Sequence, residues 1–164
     1  MRVLLLTLAA GALASIAAAQ QPTRATTKFP DFEFYGSEGG SVRLSELKGN
    51  VVLLNVWATW CGPCKQELPI VQKMYDVYSD RNFVVVSVSV DADRGRVAPF
   101  LKKFNISLPV YFPTQEDMVL AARGIPQTFL IGTDLTLLDE MNGYHPSWEE
   151  RWKKIIEKYS KARN

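Results

Sequence analysis

Residues 51–64 read VVLLNVWATWCGPC, and no other stretch of the chain restricts its fold as tightly. Val51 to Trp57 is nearly all apolar, which predicts a central strand buried on both faces. From Cys61 to Tyr78, the apolar residues Leu68, Val71, Tyr75 and Tyr78 recur at three- to four-residue spacing, which predicts a helix with Pro69 as a kink inside it. The chain's two cysteines, Cys61 and Cys64, therefore fall at a strand–helix junction. Cys61 sits at the helix N-terminus, where free N–H groups and the helix dipole favour negative charge. That lowers the thiol pKa below its free value of about 8.5. Cys61 is expected to be exposed, and Cys64, one turn further in, to be more buried. The spacing lets Cys61 attack a disulfide and form a mixed disulfide, which Cys64 then resolves by attacking Cys61. Gly62 lets a partner's backbone approach closely, and Pro63 fits the first helical turn.

Other uses of the cysteine pair fare worse. The loop it closes is too short to staple a fold. A structural zinc site needs four ligands, and His145 is the single histidine of the chain. Covalent haem attachment needs His after the second cysteine, where this chain has Lys65. Two unreactive cysteines remain the bland alternative. No metal and no cofactor beyond the Cys61–Cys64 pair is expected.

The rest of the chain supplies a mixed α/β pattern. Asp31–Tyr35 and Ser41–Leu44 flank a Gly-rich turn and predict a hairpin. Residues 45–49 read as a short helical turn closed by Gly49. Phe83–Val90 predicts a second central strand. Arg96–Phe104 predicts a helix whose core face is Val97, Leu101 and Phe104. Pro109–Phe112 reads as a short extended stretch, and Glu116–Arg123 as a short helix ended by Gly124. Gln127–Ile131 and Leu135–Met141 predict another hairpin. Ser147–Ala162 predicts a last helix, capped by Ser147 and boxed by Glu150. Its inner face would be Trp148, Trp152, Ile155, Ile156 and Tyr159, and Lys153, Lys154, Lys158 and Lys161 its wet face. The expected fold is a mixed central sheet with helices on both faces, in one domain over residues 28–164.

The first residues read MRVLLLTLAAGALASIAAAQ. A single positive residue, an apolar run and small residues at Ala17–Ala19 make residues 1–19 a signal peptide, with Gln20 as the new N-terminus. A retained membrane anchor is the alternative. Residues 20–27 read as a linker. Export implies an oxidising compartment, expected to be a bacterial periplasm, where a dithiol needs an electron source such as a membrane thiol donor. Hydrophobic residues make up 47% and charged residues 22%, the balance of a soluble globular chain rather than a disordered one. Nineteen basic against seventeen acidic residues, with no basic block, make nucleic acid an unexpected partner. A monomer is expected.

The chain resembles the thioredoxin superfamily, and within it the exported TlpA/ResA-type thiol-disulfide oxidoreductases associated with cytochrome c maturation. The matching residues are Phe29–Phe32, Leu47–Gly49, Val51–Trp57, Trp60–Lys65, Glu67, Pro69 and Arg123–Ile131, together with the first hairpin. The long stretch between Phe83 and Ile125 is similar to this family's central insertion. The resemblance implies a thioredoxin-like three-layer fold and a cis Ile125–Pro126 bond facing the dithiol. A substrate peptide would then pair with the Ile125 backbone in a groove formed by Trp60, Gly62, Pro63, Ile125 and Pro126. It also implies that Cys61, Cys64 and Glu67 are catalytic, with Glu67 beside the buried sulfur to move its proton. An exposed helical Glu is the alternative. Asn55 stands where cytoplasmic thioredoxins carry a buried Asp, and is expected to be a hydrogen-bonded core amide. Trp60 is expected to shield the dithiol, Trp57 to lie in the core and His145 to be a plain loop residue. The implied substrates are protein disulfides, such as the oxidised cysteine pair of apocytochrome c.

Two other functions remain open at this point. A peroxiredoxin-like peroxidase shares the fold, but its P-x-x-x-T-x-x-C pattern has Leu54 and Ala58 in place of Pro and Thr here. A non-catalytic thioredoxin-fold binding module would use the sheet edge and the Ile125–Pro126 groove, and the intact CxxC argues against it.

Overall fold

Every side chain from Val51 to Trp57 is buried, which requires a strand in mid-sheet with both faces covered. The computed structural model describes residues 27–163. The expected signal peptide and all of the linker except Thr27 lie outside the described residues. Along the chain come β1 (Glu33–Gly36), β2 (Ser41–Arg43), a 3-10 turn at Leu44–Leu47, β3 (Val51–Trp57), α1 (Gly62–Val77) and β4 (Phe83–Ser89). A 3-10 turn at Arg94–Arg96 then leads into α2 (Val97–Lys103), β5 (Val110–Pro113) and a further 3-10 turn at Asp117–Ala121. The chain continues with β6 (Gln127–Ile131), β7 (Leu137–Asn142) and α3 (Trp148–Tyr159).

The seven strands lie in the order β2-β1-β5-β4-β3-β6-β7. β3, β4 and β5 run parallel. β6 and β7 extend the sheet antiparallel on one side, and β1 and β2 do so on the other. The pleat sends alternate side chains of β3 into two separate cores. Val51, Leu53 and Trp57 pack with Leu68, Val71 and Met74 of α1, Val97 of α2, and Trp152 and Ile156 of α3. Val52, Leu54 and Val56 pack with Phe29, Phe34, Leu44 and Leu120. The α-helices thus share one face of the sheet. The N-terminal segment and two 3-10 turns cover the other.

The mixed sheet, both hairpins and the three longer helices agree with the sequence reading, but helices were expected on both faces, and the second face has only 3-10 turns because residues 116–123 do not form an α-helix; several further details differ. The Pro109–Phe112 stretch is a full sheet member, because β5 joins the β1–β2 hairpin to β4. Residues 116–123 form only a short 3-10 turn before Gly124, whose φ of 96° ends it. In α1 the inward position is taken by Met74, and Tyr75 is exposed. Phe104 is exposed because α2 ends at Lys103. Phe100 turns inward instead and stacks on Trp57 with ring centroids 5.5 Å apart. Tyr159 is exposed at the end of α3. The capping box expected at Ser147 does not form: the Ser147 hydroxyl lies 2.8 Å from His145 Nδ1, and Glu150 pairs with Lys153.

The Ser147 side chain at the N-cap makes no capping hydrogen bond, so the stability of α3 comes from its buried face. Trp152 and Ile156, one turn apart, are fully buried, and the Trp152 indole N–H points at the Met141 sulfur. Ile156→Ala is expected to lower unfolding stability by about 2–5 kcal/mol through lost burial and a residual cavity. Urea denaturation measures this, and a loss under 1 kcal/mol would mean that α3 is loosely docked.

Candidate active site

The chain leaves the C-terminal end of β3 through residues 58–60 and enters α1 at Cys61. Cys61 is the N-cap, with extended backbone (φ −82°, ψ 114°). Its sulfur accepts a hydrogen bond from the Cys64 backbone N–H at 3.1 Å, the contact that Ser or Asp oxygens usually make in this position. Pro63 lies in the first turn, where no N–H is needed. Cys61 and Cys64 are joined in a disulfide. Cys64 is fully buried, as expected. Cys61 is only 5% exposed, against the exposed position expected for it. The reason is that Cys61 belongs to the same apolar cluster as Cys64, and Ile125 packs against that cluster. Trp60 stands out at 62% exposure, and Gly62 and Pro63 are exposed beside it.

Opposite the disulfide, the Ile125–Pro126 peptide bond is cis. The Ile125 carbonyl oxygen lies 3.7 Å from Cys61 Sγ. A disulfide sulfur has no proton to donate, so this is a packing contact in the oxidised form. A Cys61 thiol would have an acceptor there.

Three residues beyond Cys64 on α1, Glu67 joins a polar cluster buried inside the apolar core. Asn55 of β3 and Thr128 of β6 are directly opposite in the antiparallel register. Asn55 Nδ2 donates to Thr128 Oγ1 at 2.9 Å and to Glu67 Oε2 at 2.7 Å. Thr128 Oγ1 donates to Glu67 Oε1 at 3.1 Å. Glu67 is fully buried, not an exposed helical residue. Burial pushes its carboxyl up to about 7, against the two hydrogen bonds from Asn55 and Thr128, which hold it down. Asn55 is the hydrogen-bonded core amide expected, although its Oδ1 is buried without a partner. Thr128 was not singled out in the sequence. Its signals there are its place within the matching Arg123–Ile131 segment, two residues after Pro126, and on the strand beside β3.

Trp57 is a core residue, as expected, and its indole donates to Ser87 Oγ at 2.8 Å. His145 is exposed, in the loop before α3, and bonds only locally to Ser147. Among the described residues, no group of three or more His, Cys, Asp or Glu side chains is placed to hold a metal ion.

A disulfide capping a helix that leaves the central parallel strand, set against a cis-proline, places this chain in the thioredoxin superfamily as a ResA/TlpA-type protein. More specifically, it belongs to the Redoxin family, whose model matches residues 24–142. It is similar to the thiol-disulfide oxidoreductase ResA of Geobacillus thermodenitrificans, with 36% identity over 105 residues. That match covers 62% of this chain and 60% of the relative. ResA of Bacillus subtilis is 32% identical over 116 residues, 70% of this chain and 65% of the relative. Among solved structures, a candidate DsbE thiol:disulfide interchange protein from Chlorobium tepidum superposes with a TM-score of 0.72 at 35% identity. The superposition covers 80% of this chain and 94% of that one.

The raised Glu67 pKa makes stability depend on pH in a definite direction. The folded protein keeps this proton up to about pH 7, while an unfolded carboxyl releases it near 4.5. The contribution of the neutral acid is therefore fully present below pH 4.5 and is lost as pH rises to about 7. At about 1.4 kcal/mol per unit, the loss is on the order of 3 kcal/mol. Glu67→Gln removes it, so wild type should weaken relative to this variant across that interval. Parallel stability curves for the two oxidised proteins would contradict the assignment.

Proposed function

We propose that this protein is an exported thiol-disulfide oxidoreductase that reduces disulfides in protein substrates through Cys61 and Cys64. The observation that carries this reading is the Cys61–Cys64 disulfide at the N-terminus of α1, 3.7 Å from the carbonyl oxygen of the cis Ile125–Pro126 bond. In the reduced form, the helix N-terminus favours a thiolate on Cys61. That thiolate attacks a substrate disulfide: a bond forms from Cys61 Sγ to one substrate sulfur, and the other leaves as a thiolate and takes a proton. Cys64 then attacks Cys61 Sγ, which forms the Cys61–Cys64 disulfide and releases the second substrate sulfur. Two electrons and two protons pass to the substrate in all.

Cys64 must lose its proton inside the core, and bulk water does not reach it there. Glu67 is one turn along the same helix and its pKa is near neutrality, so it is suited to take that proton. Trp60, Gly62, Pro63, Ile125 and Pro126 form the groove that receives an extended substrate segment by backbone pairing. The oxidised cysteine pair of apocytochrome c is the proposed substrate, and a membrane thiol donor returns the electrons. Residues 1–19 direct the chain out of the cytoplasm to a periplasm. A peroxidase has nothing in its favour here: Leu54 and Ala58 are buried and apolar at the positions where it would need Pro and Thr.

Cys64→Ala should accumulate a stable mixed disulfide between Cys61 and the substrate, because the resolving thiol is gone. Cys61→Ala should accumulate little. Alkylation of free thiols, non-reducing electrophoresis and mass spectrometry of the adducts would show this. More trapping by Cys61→Ala would reverse the two roles, and trapping by neither would count against protein disulfides.

Glu67→Gln should slow reduction of an oxidised protein substrate at pH 7 by about 10²-fold, the lower range for general base assistance. Stopped-flow rates and a pH profile identical to wild type would remove Glu67 from the mechanism.

A further inference from the structure

Asp91 is a second buried carboxylate near the disulfide, and the steps above make no use of it. It lies just beyond the C-terminal end of β4 and is only 7% exposed. A buried carboxylate needs several donors to offset lost hydration, and Asp91 has three. The Thr59 backbone N–H reaches Oδ2 at 2.8 Å, and the Thr59 hydroxyl reaches Oδ1 at 2.7 Å. The Ser89 hydroxyl reaches Oδ2 at 2.9 Å. Two of the three donors therefore come from one residue of the segment that joins β3 to α1.

That segment is otherwise lightly held. The Val90 N–H donates to the Trp57 carbonyl at 2.9 Å, and the Cys61 N–H donates to the Ala58 carbonyl at 3.2 Å. Thr59 is buried, whereas its neighbour Trp60 is the most exposed aromatic residue of the described chain. Ser89 is committed to the same site, since its oxygen also accepts from the Asp91 N–H at 3.2 Å. The carboxylate is thus fixed at the end of β4 and grips Thr59 through both of its oxygens. Cys61 lies two residues further on.

We infer that Asp91 is a positioning residue for the dithiol: gripping Thr59, it holds the turn that presents Trp60 and keeps Cys61 at the N-terminus of α1. The inference rests on the proposed oxidoreductase reading. Its physical content is a balance of two effects. The grip keeps Cys61 where the helix favours a thiolate, and the Thr59 donors offset the field of a nearby negative charge. Loss of the Thr59 hydroxyl weakens both, so the reduced form loses stability relative to the disulfide.

The test compares Thr59→Val, which keeps the shape but removes the hydroxyl, with Thr59→Ser, which restores it. Each full-length protein is equilibrated with reduced and oxidised glutathione, and its rate of reducing an oxidised protein is measured separately. Thr59→Val should shift the equilibrium constant towards the Cys61–Cys64 disulfide by about threefold or more and slow the reaction by about tenfold, in line with the dependence of exchange on thiolate stability. Thr59→Ser should recover most of both. Asp91→Asn should slow the reaction similarly, and if it does not fold, the Thr59 pair decides alone. Equilibrium and rate within twofold of wild type in Thr59→Val, or equal damage in Thr59→Ser, would overturn the inference. The glutathione equilibrium needs no protein substrate, so an inactive wild type would sink the proposed function and leave Asp91 still tested.

Discussion

Burial of β3 on both faces is the constraint from which the remaining structure follows. Seven consecutive buried side chains must be covered from two directions. α1, α2 and α3 cover one side. The aromatic N-terminal segment and two 3-10 turns cover the other. The chain emerges from such a strand only at its ends. Its C-terminal end is where parallel strands commonly place chemistry, because the following helix starts there with free N–H groups. Cys61 occupies that spot as a helix cap. The location of the disulfide is thus a consequence of how the core is built.

The same core admits a polar cluster, and its composition is economical. Asn55 uses both amide hydrogens, one on Glu67 and one on Thr128. Thr128 accepts from Asn55 and donates to Glu67. Each carboxyl oxygen of Glu67 therefore has a donor, which suits the charged form, while burial favours the neutral form. The opposition leaves the group near neutrality. A buried acid with fewer donors would stay protonated, and one with more would stay charged. Neither could exchange a proton readily at neutral pH.

Much of this was legible in the sequence because the signals are local. An apolar run followed by Cys-Gly-Pro-Cys fixes β3, the start of α1 and the disulfide within about a dozen residues. The Ile125–Pro126 bond was legible only through family resemblance, since no local rule selects the cis form for a given proline. What escaped was set by contacts distant in sequence. Whether Glu67 faced water or core depended on Asn55 and Thr128, which come from two different strands. The Thr59–Asp91 contact spans 32 residues and has no periodic signature. Spacing alone points Tyr75 and Phe104 inward. The real helix phase and the early end of α2 gave those places to Met74 and Phe100. The Ser147 cap failed because a neighbouring imidazole competes for its hydroxyl.

The two borders of the sheet limit how this molecule can meet another polypeptide. β2, at one border, has only three residues, and Arg43 there is ion-paired with Glu33. β7, at the other, has Asp139 and Glu140, paired with Arg151 and Arg123. Its start is also covered by the N-terminal segment: the Leu137 N–H donates to the Thr27 carbonyl, and Lys28 pairs with Thr136 in an isolated antiparallel bridge. Short, charged or covered borders discourage end-to-end growth of a sheet. Both flanks of the sheet are thus poor templates for strand pairing between copies. The backbone that stays open beside the disulfide is that of Ile125, whose carbonyl oxygen faces Cys61 at 3.7 Å with the exposed Trp60 next to it.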